Sequence, residues 1–273
     1  MSVFVCPLCR EELTRGDKSY ACPKGHSFDI SAAGYVHLLP ANKKHSVAPG
    51  DDREMSRARR EFLEKGYYAP LRSALEELAA ELFPESGVLL DAGCGEGYYT
   101  AGVFEAVKAA GKDIRAGGID ISKFILKYAS KKNREVEYAV ASSYHLPVAG
   151  ESVDLLLDCF APLALEEFRR VLRPGGIFIY VVPAARHLWQ MKQVLYDRPY
   201  ENEEKLTPYE GFEYLRVQPV DRVITVDSRE DIENLFKMTP YFWKTPREGK
   251  MRLEARERLE TEISFRIHVF RRV

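Results

Sequence analysis

The stretch Val88-Leu89-Leu90-Asp91-Ala92-Gly93-Cys94-Gly95-Glu96-Gly97 decides the fold. It begins as a short apolar run of strand character and ends in a G-x-G-x-G loop. A helical pattern over Tyr98–Ala109 follows, so the loop opens a helix directly after a strand. Glycine in such a loop lets the backbone approach a ligand closely. Working outward, further strands are expected at Ala116–Asp120, Val136–Ala141, Val153–Cys159 and Ile177–Val182, with helices at Lys123–Lys132 and Leu165–Val171. This alternation specifies a doubly wound α/β sheet. Arg216–Val226, Arg229–Lys237 and Ile263–Arg271 supply a last helix and an antiparallel pair of strands. Upstream, Glu54–Lys65 and Pro70–Leu82 read as helices; in the second, Leu71, Leu75, Leu78 and Leu82 recur at helical spacing behind Pro70.

The residues around the glycine loop choose among nucleotide cofactors. Ile119-Asp120 puts a carboxylate at the tip of the second strand, where an anionic acceptor takes both hydroxyls of a ribose. Asp91 stands where it would repel a pyrophosphate but can serve an ammonium group, which favours S-adenosylmethionine over NAD. The run Arg169-Arg170-Val171-Leu172-Arg173-Pro174-Gly175-Gly176 followed by IFIYVVP has the helix–turn–strand form common in class I methyltransferases. Gly93, Gly95 and Gly97 are then the ligand-facing glycines, and Ser142, after the third strand, meets the adenine edge. The fourth strand ends in Asp158-Cys159-Phe160-Ala161-Pro162. In this fold that tip abuts the transferable methyl, so Phe160 is a candidate to stack on a flipped base. A hydrophobic turn packed in the core would have the same composition.

A second signal precedes the sheet. Cys6, Cys9, Cys22 and His26 form C-x2-C-x12-C-x3-H, with both pairs on tight knuckles, CPLC and CPKGH. Three thiolates and one imidazole complete the tetrahedral shell of Zn2+ and leave no open position, so the metal is structural. The surrounding segment is too small to fold around a core of its own. It is expected to unfold in Cys9→Ser while the cofactor site is spared.

Composition bounds the rest. The 273 residues can hold one large domain and a small one. Three of five cysteines are used as metal ligands, which argues for a reducing compartment, and MSVFVCPLC lacks the apolar stretch of a signal peptide. No segment approaches a membrane span, so a cytoplasmic protein is expected. The net charge of −1 carries no general nucleic-acid signature. Locally, however, Lys43, Lys44, Arg53, Arg57, Arg59 and Arg60 face only Asp51, Asp52 and Glu54, six basic residues against three acidic. Such an excess suits either a phosphate-gripping surface or a solvated face.

Taken together, these segments resemble the 23S rRNA (guanine-N1)-methyltransferases of the RlmA type, a group that includes macrolide-resistance rRNA methyltransferases. The likeness spans CPLC…CPKGHSFDISAAGYVHLLP, PGDDREMSRARREFLEKGYYAPLR, LLDAGCGEGYYT, VASSYHLPV, FAPLALEEFRRVLRPGG, PAARHLWQMKQVLY and FKMTPYFWK. It implies a class I (Rossmann-like) S-adenosylmethionine-dependent methyltransferase fold with a small N-terminal zinc-binding module. It further implies that the four ligands hold zinc, that the knuckle helps to bind 23S rRNA, and that the chain dimerises. Cofactor contacts are implied from Tyr68, from Gly95, Glu96, Gly97 and Tyr98, and from His187. The substrate tip departs from the pattern: Phe160-Ala161-Pro162-Leu163 replaces the expected Tyr-Ala-Pro-Cys, and an acidic residue, Asp158, precedes it.

The expected organisation is a zinc-binding rRNA-recognition module over 1–40, a linker with helices over 41–84, and the methyltransferase domain over 85–273. The reaction would place a guanine N1 in line with the sulfonium methyl while its proton is accepted. Asp158 is a candidate acceptor if its side chain faces the pocket. Two other readings share features with this one. A small-molecule methyltransferase shares the core from Asp91 to Pro174, but needs no metal module; a non-catalytic zinc-dependent RNA-binding protein needs no intact cofactor loop.

Overall fold

The structure, a computed structural model, describes residues 2–40 and 53–273. Its centre is an eight-stranded sheet. Six of its strands are mutually parallel: β4 (Val36–His37), β5 (Ser86–Ala92), β6 (Asp113–Asp120), β7 (Glu137–Val140), β8 (Val153–Cys159) and β9 (Leu172–Pro183). The long β10 (Phe212–Val226) and β11 (Leu259–Arg272) run antiparallel to each other, and β11 runs antiparallel to β9. The order across the sheet is β10-β11-β9-β8-β5-β6-β7-β4. The antiparallel pair expected from the C-terminal part is present. Three helices, α7 (Arg229–Lys237), α8 (Tyr241–Lys244) and α9 (Arg247–Glu254), separate its strands where a single helix was expected. Residues 173–176 of the expected Pro-Gly-Gly turn lie in an irregularity of β9: Val153 pairs with Leu172, and the next pair is Leu155 with Ile177.

The central parallel strands β5, β8 and β9 carry continuous apolar runs because both of their faces are buried there. Successive side chains point to opposite sides. Leu89, Leu155, Leu157 and Ile179 therefore join one core, and Val88, Leu90, Leu156 and Phe178 the other. The first core is covered by helices: α1 (Arg53–Glu64), α2 (Ala69–Leu82), α3 (Tyr98–Ala109), α4 (Lys123–Lys132), α6 (Trp189–Leu195) and α7 to α9. In α2 the buried Leu71, Leu75, Leu78 and Ala79 form one stripe, behind a proline in the first turn.

The second face is covered differently. Parallel strands are usually joined across a face by a helix. α5 (Leu165–Val171) does this between β8 and β9, but residues 141–152, between β7 and β8, contain no helix. The N-terminal segment lies there instead. Its own three-stranded sheet, β1 (Thr14–Arg15), β2 (Ser19–Ala21) and β3 (Ser27–Asp29), stays separate, yet Val3, Phe4, Leu13 and Tyr20 are in one core with Val88, Leu90, Ile119 and Ala139. Gly117 makes room for this contact: a Cβ there would stand 2.9 Å from Val3 Cγ1 and 3.2 Å from Phe4 Cζ. Polar contacts add to it. Glu137 accepts from Ser2 Oγ at 2.6 Å, Val3 N at 2.9 Å and Tyr20 Oη at 2.9 Å. Val5 N donates to Pro147 O at 2.8 Å, and Arg10 Nη1 to Leu146 O at 2.8 Å. Thus the metal-ligand segment packs as one layer of the sheet domain, and the expectation that it unfolds without consequence for the cofactor site has no support in this packing.

Candidate active site and metal centre

The four N-terminal ligands converge. Their ligand atoms all lie within 4.8 Å of one another. Cys9 Sγ is 3.7 Å from Cys22 Sγ, and His26 Nδ1 is 3.4 Å from Cys22 Sγ and 3.5 Å from Cys6 Sγ. A tetrahedral ion with Zn–S near 2.3 Å and Zn–N near 2.0–2.1 Å has S···S and S···N edges of about 3.8 and about 3.6 Å. The donor set therefore fits one zinc ion. The knuckles form because the backbone turns back on itself: Arg10 N donates to Cys6 O at 2.8 Å and Gly25 N to Cys22 O at 3.0 Å.

The second site is a cleft of about 870 Å³ along the C-terminal ends of β7, β6, β5, β8 and β9, the usual ligand position in an open α/β sheet. Asp91, Gly93, Gly95, Glu96, Asp120, Ser142, Phe160, Tyr68 and His187 all line it. Gly97 and Tyr98 do not. Gly97 is the left-handed cap of α3, and Tyr98 turns away to receive Arg72 at 5.0 Å and Lys132 at 5.5 Å over its ring. Its neighbour Tyr99, which carries no sequence signal of its own, lines the cleft instead.

The electrostatics of the cofactor end suit a ligand that is cationic and carries a diol. Asp91 is buried; its Oδ2 accepts from Thr100 Oγ1 at 2.5 Å, while Oδ1 has no partner. Burial pushes its carboxyl up to about 7, against the Thr100 bond, with Asp120 and Glu96 adding to the rise. Glu96 is also buried with Oε2 unpartnered, and its pKa is raised by burial, partly offset by Arg59. Asp120 accepts from Gly95 N at 3.1 Å and Ser122 N at 2.8 Å, which fixes its carboxylate at the tip of β6. Orphaned buried carboxylate oxygens beside a glycine loop fit the ammonium-bearing S-adenosylmethionine.

A pH prediction follows from Asp91. Without ligand, its raised pKa means that the folded state keeps a proton that the unfolded chain, at 3.8, has released. This costs stability increasingly as pH rises from about 4 through about 7. An ammonium partner favours the carboxylate, so S-adenosylmethionine affinity should rise with pH through about 7 and fall again above about 8, where an α-ammonium itself loses its proton. Calorimetry in buffers of different ionisation heats should detect proton release on binding near pH 6.5. An affinity that is flat from pH 6 to 8 would rule out this role for Asp91.

At the acceptor end, Phe160 has a left-handed φ of 62° and is 46% exposed at the tip of β8. Gly93 lies beneath this tip: a Cβ there would come 2.3 Å from Ala161 Cβ. Asp158 is fully buried and is not on the cleft lining. Its Oδ1 accepts from Ala161 N at 3.0 Å and its Oδ2 has no partner. Burial raises its carboxyl to about 8, against the Ala161 bond, with a further contribution from Asp91. Cys159, also on the lining, is a thiol whose pKa burial raises well above the ordinary value.

His187 and Tyr68 meet across the cleft wall, Tyr68 Oη lying 3.4 Å from His187 Nε2. Ser264 N donates to His187 Nδ1 at 3.3 Å, so the neutral ring carries its proton on Nε2 and offers it to Tyr68. Burial, reinforced by the charge of Lys192, lowers the His187 pKa to about 3, which holds the ring neutral. Phe265, 4.5 Å from the His187 ring and 5.1 Å from that of Tyr68, completes the wall. The basic residues read before the sheet serve separate ends. Arg59 lines the cleft, Arg57 pairs with Glu61 at 3.0 Å, and Arg60 stacks 4.3 Å from the centre of the Tyr128 ring. Lys43 and Lys44 lie outside the described residues. Phe265, Tyr200, Asn202, Tyr241 and Lys244 also line the cleft and were not foreseen; their positions arise from strand pairing and loops with no motif of their own.

Both parts of the chain have known relatives. A family model described as RlmA, N-terminal, a zinc ribbon, matches residues 4–47, and a methyltransferase-domain model matches residues 85–224. Protein YxjB of Bacillus subtilis, provisionally named a 23S rRNA (guanine-N1)-methyltransferase, is 34% identical over 258 residues, covering 90% of this chain and 89% of its own. The 23S rRNA (guanine(748)-N1)-methyltransferase of Streptomyces fradiae is 32% identical over 196 residues, covering 70% of this chain and 66% of its own. Among solved structures, YcgJ of Bacillus subtilis superposes with a TM-score of 0.52 at 16% identity, covering 73% of this chain and 98% of its own, which bears on the fold alone. No helix among the described residues is long and apolar enough to cross a membrane. With the metal cluster, the cofactor cleft and near full-length similarity in one chain, the protein belongs to the RlmA-type 23S rRNA (guanine-N1)-methyltransferase family.

Proposed function

We propose that this chain transfers the methyl group of S-adenosylmethionine to N1 of a guanine in a 23S rRNA hairpin loop. The observation that carries the reading is the pairing, in one chain, of a closed metal cluster with a cleft whose buried carboxylates suit the cofactor. Similarity to an rRNA-methyltransferase relative over 90% of this chain, ribbon included, favours rRNA over a small metabolite as substrate. In this reading the segment over 1–40 helps to grip rRNA, 41–84 connects it, and 85–273 carries the chemistry in the cytoplasm. A homodimer would let two ribbons clasp one hairpin. Labelled methyl transfer to unmodified 23S rRNA, set against a metabolite pool, tests the substrate. Primer extension then locates the modified base, and label confined to metabolites would overturn the proposal.

The residue roles are part of the same proposal. When bound, the cofactor supplies an electrophilic methyl on its sulfonium. Asp91 faces its ammonium, Asp120 its ribose, Ser142 its adenine edge, and Gly93, Gly95 and Glu96 its path; Tyr68 and His187 close the wall. Gly97 and Tyr98 support this loop from beneath through α3. Phe160 stacks on the target base. Asp158 is a positioning residue: at neutral pH its raised pKa keeps it protonated, and its Oδ1 holds Ala161 and thereby the tip. Asparagine keeps that acceptor and is close in shape to the protonated acid. Asp158→Asn should therefore retain kcat within about threefold, whereas Asp158→Ala should lose about tenfold or more as one buried hydrogen bond disappears. An Asp158→Asn variant as inactive as Asp158→Ala, both folded, would make Asp158 the proton acceptor instead.

A further inference from the structure

The cleft continues well beyond the cofactor end. From Asp120 on β6 to the end of β9 is three strand spacings, about 14 Å at about 4.8 Å each. Beyond the β8 tip, its walls are Tyr180 on β9, Tyr200 and Asn202 on the segment after α6, and Tyr241 and Lys244 on α8. Behind this wall stands Lys192, on α6, 0% exposed. A buried ammonium is costly unless compensated. Among the described residues Lys192 forms no salt bridge; it donates to Asn202 Oδ1 at 2.8 Å and to Tyr200 O at 3.0 Å. Its Nζ also lies 4.8 Å from the Tyr200 ring centre and 5.4 Å from that of Tyr241. Burial lowers its pKa, with Glu201 opposing.

The segment is tied from its other side as well. Asn202 N donates to Ala185 O at 2.9 Å and Asn202 Nδ2 to Ala184 O at 2.8 Å, and Ala185 N donates to Glu204 Oε1 at 2.8 Å. Tyr200 thus has a fixed backbone, a cation beside its ring, and 48% of its surface exposed. A cation held at the ring restrains its orientation, and the exposed part is a ready stacking surface. We propose that the segment Tyr200–Asn202, clamped by Lys192, is the acceptor-base wall of the cleft, with Tyr200 stacking on the target base and Lys192 as its positioning residue. This inference rests on the rRNA reading above and adds a base-binding site to it.

The test uses the full chain and a transcript of the 23S rRNA hairpin as probe. Tyr200→Ala should lower kcat/KM for the hairpin about tenfold or more, the loss expected for one stacking contact. S-adenosylmethionine affinity, read by calorimetry, should stay within about twofold. Tyr200→Phe should restore turnover, and Lys192→Met should reproduce the Tyr200→Ala defect. The double variant should be little worse than either single one, since both remove the same contact. Should Lys192→Met fail to fold, Asn202→Ala cuts the same anchor from the other side. Wild-type kcat/KM in Tyr200→Ala, or an equal loss of cofactor affinity, overturns the wall while leaving the rRNA reading standing. A wild-type protein that cannot methylate the hairpin overturns both.

Discussion

Removal of zinc should weaken S-adenosylmethionine binding as well as unfold the ribbon. Structural zinc sites of this kind contribute on the order of 10–16 kcal/mol to folding in small modules. Here the segment also covers a sheet face that no helix covers between β7 and β8. Without the ion, Val3, Phe4, Leu13 and Tyr20 lose the scaffold that presses them on Val88, Leu90 and Ile119. The bonds from Val5 to Pro147 and from Arg10 to Leu146 go with them, and Leu146 is only four residues beyond the cleft-lining Ser142. Chelation, or Cys9→Ser, should lower the melting temperature of the whole chain and reduce S-adenosylmethionine affinity about tenfold or more. Metal analysis should give one zinc per chain beforehand. A metal-free protein that still binds the cofactor with wild-type affinity would show the ribbon to be separable after all.

The second large effect is expected at Gly93. Its φ of 107° is a conformation that side chains other than glycine rarely adopt, and an added Cβ would overlap Ala161 at 2.3 Å. The strain alone costs on the order of 1–3 kcal/mol. The overlap is with the tip that carries Phe160, which must move outward. Gly93→Ala should therefore lose about 3 kcal/mol or more of stability and most of its methyl transfer. Gly95 shares the strain, with φ of 55°, but has room: the nearest neighbour to an added Cβ is Ile125 Cδ1, at 3.7 Å. Gly95→Ala should keep much of the stability and lose mainly cofactor affinity, because there the space belongs to the ligand. Calorimetric melting beside cofactor titration separates the two. Equal melting temperatures for wild type and Gly93→Ala would mean that the tip does not rest on this glycine.

The sequence by itself determined the sheet, the glycine loop, Asp120 at its strand tip and the four metal ligands. Each is a local pattern: apolar runs of strand length, glycines at fixed offsets, and thiolates and an imidazole within a span of 21 residues, Cys6 to His26. Tertiary structure decided what local pattern cannot encode. Tyr98 and Tyr99 are adjacent and identical in chemistry; the phase of α3 against α2 and α4 puts one on Arg72 and the other on the cleft. Asp158 reads as an acid in an active-site tip, but its side chain is sealed inside, where burial raises its carboxyl to about 8. The ribbon reads as a separate module because its ligands are close in sequence; its apolar side chains find their partners on β5, β6 and β7, more than sixty residues away. Lys192 and Tyr200 acquire their roles only where α6, the segment after it and α8 close around one ammonium. Spacing fixes which residues can share a ligand, whereas burial and long-range packing fix which of them face it and in what charge state.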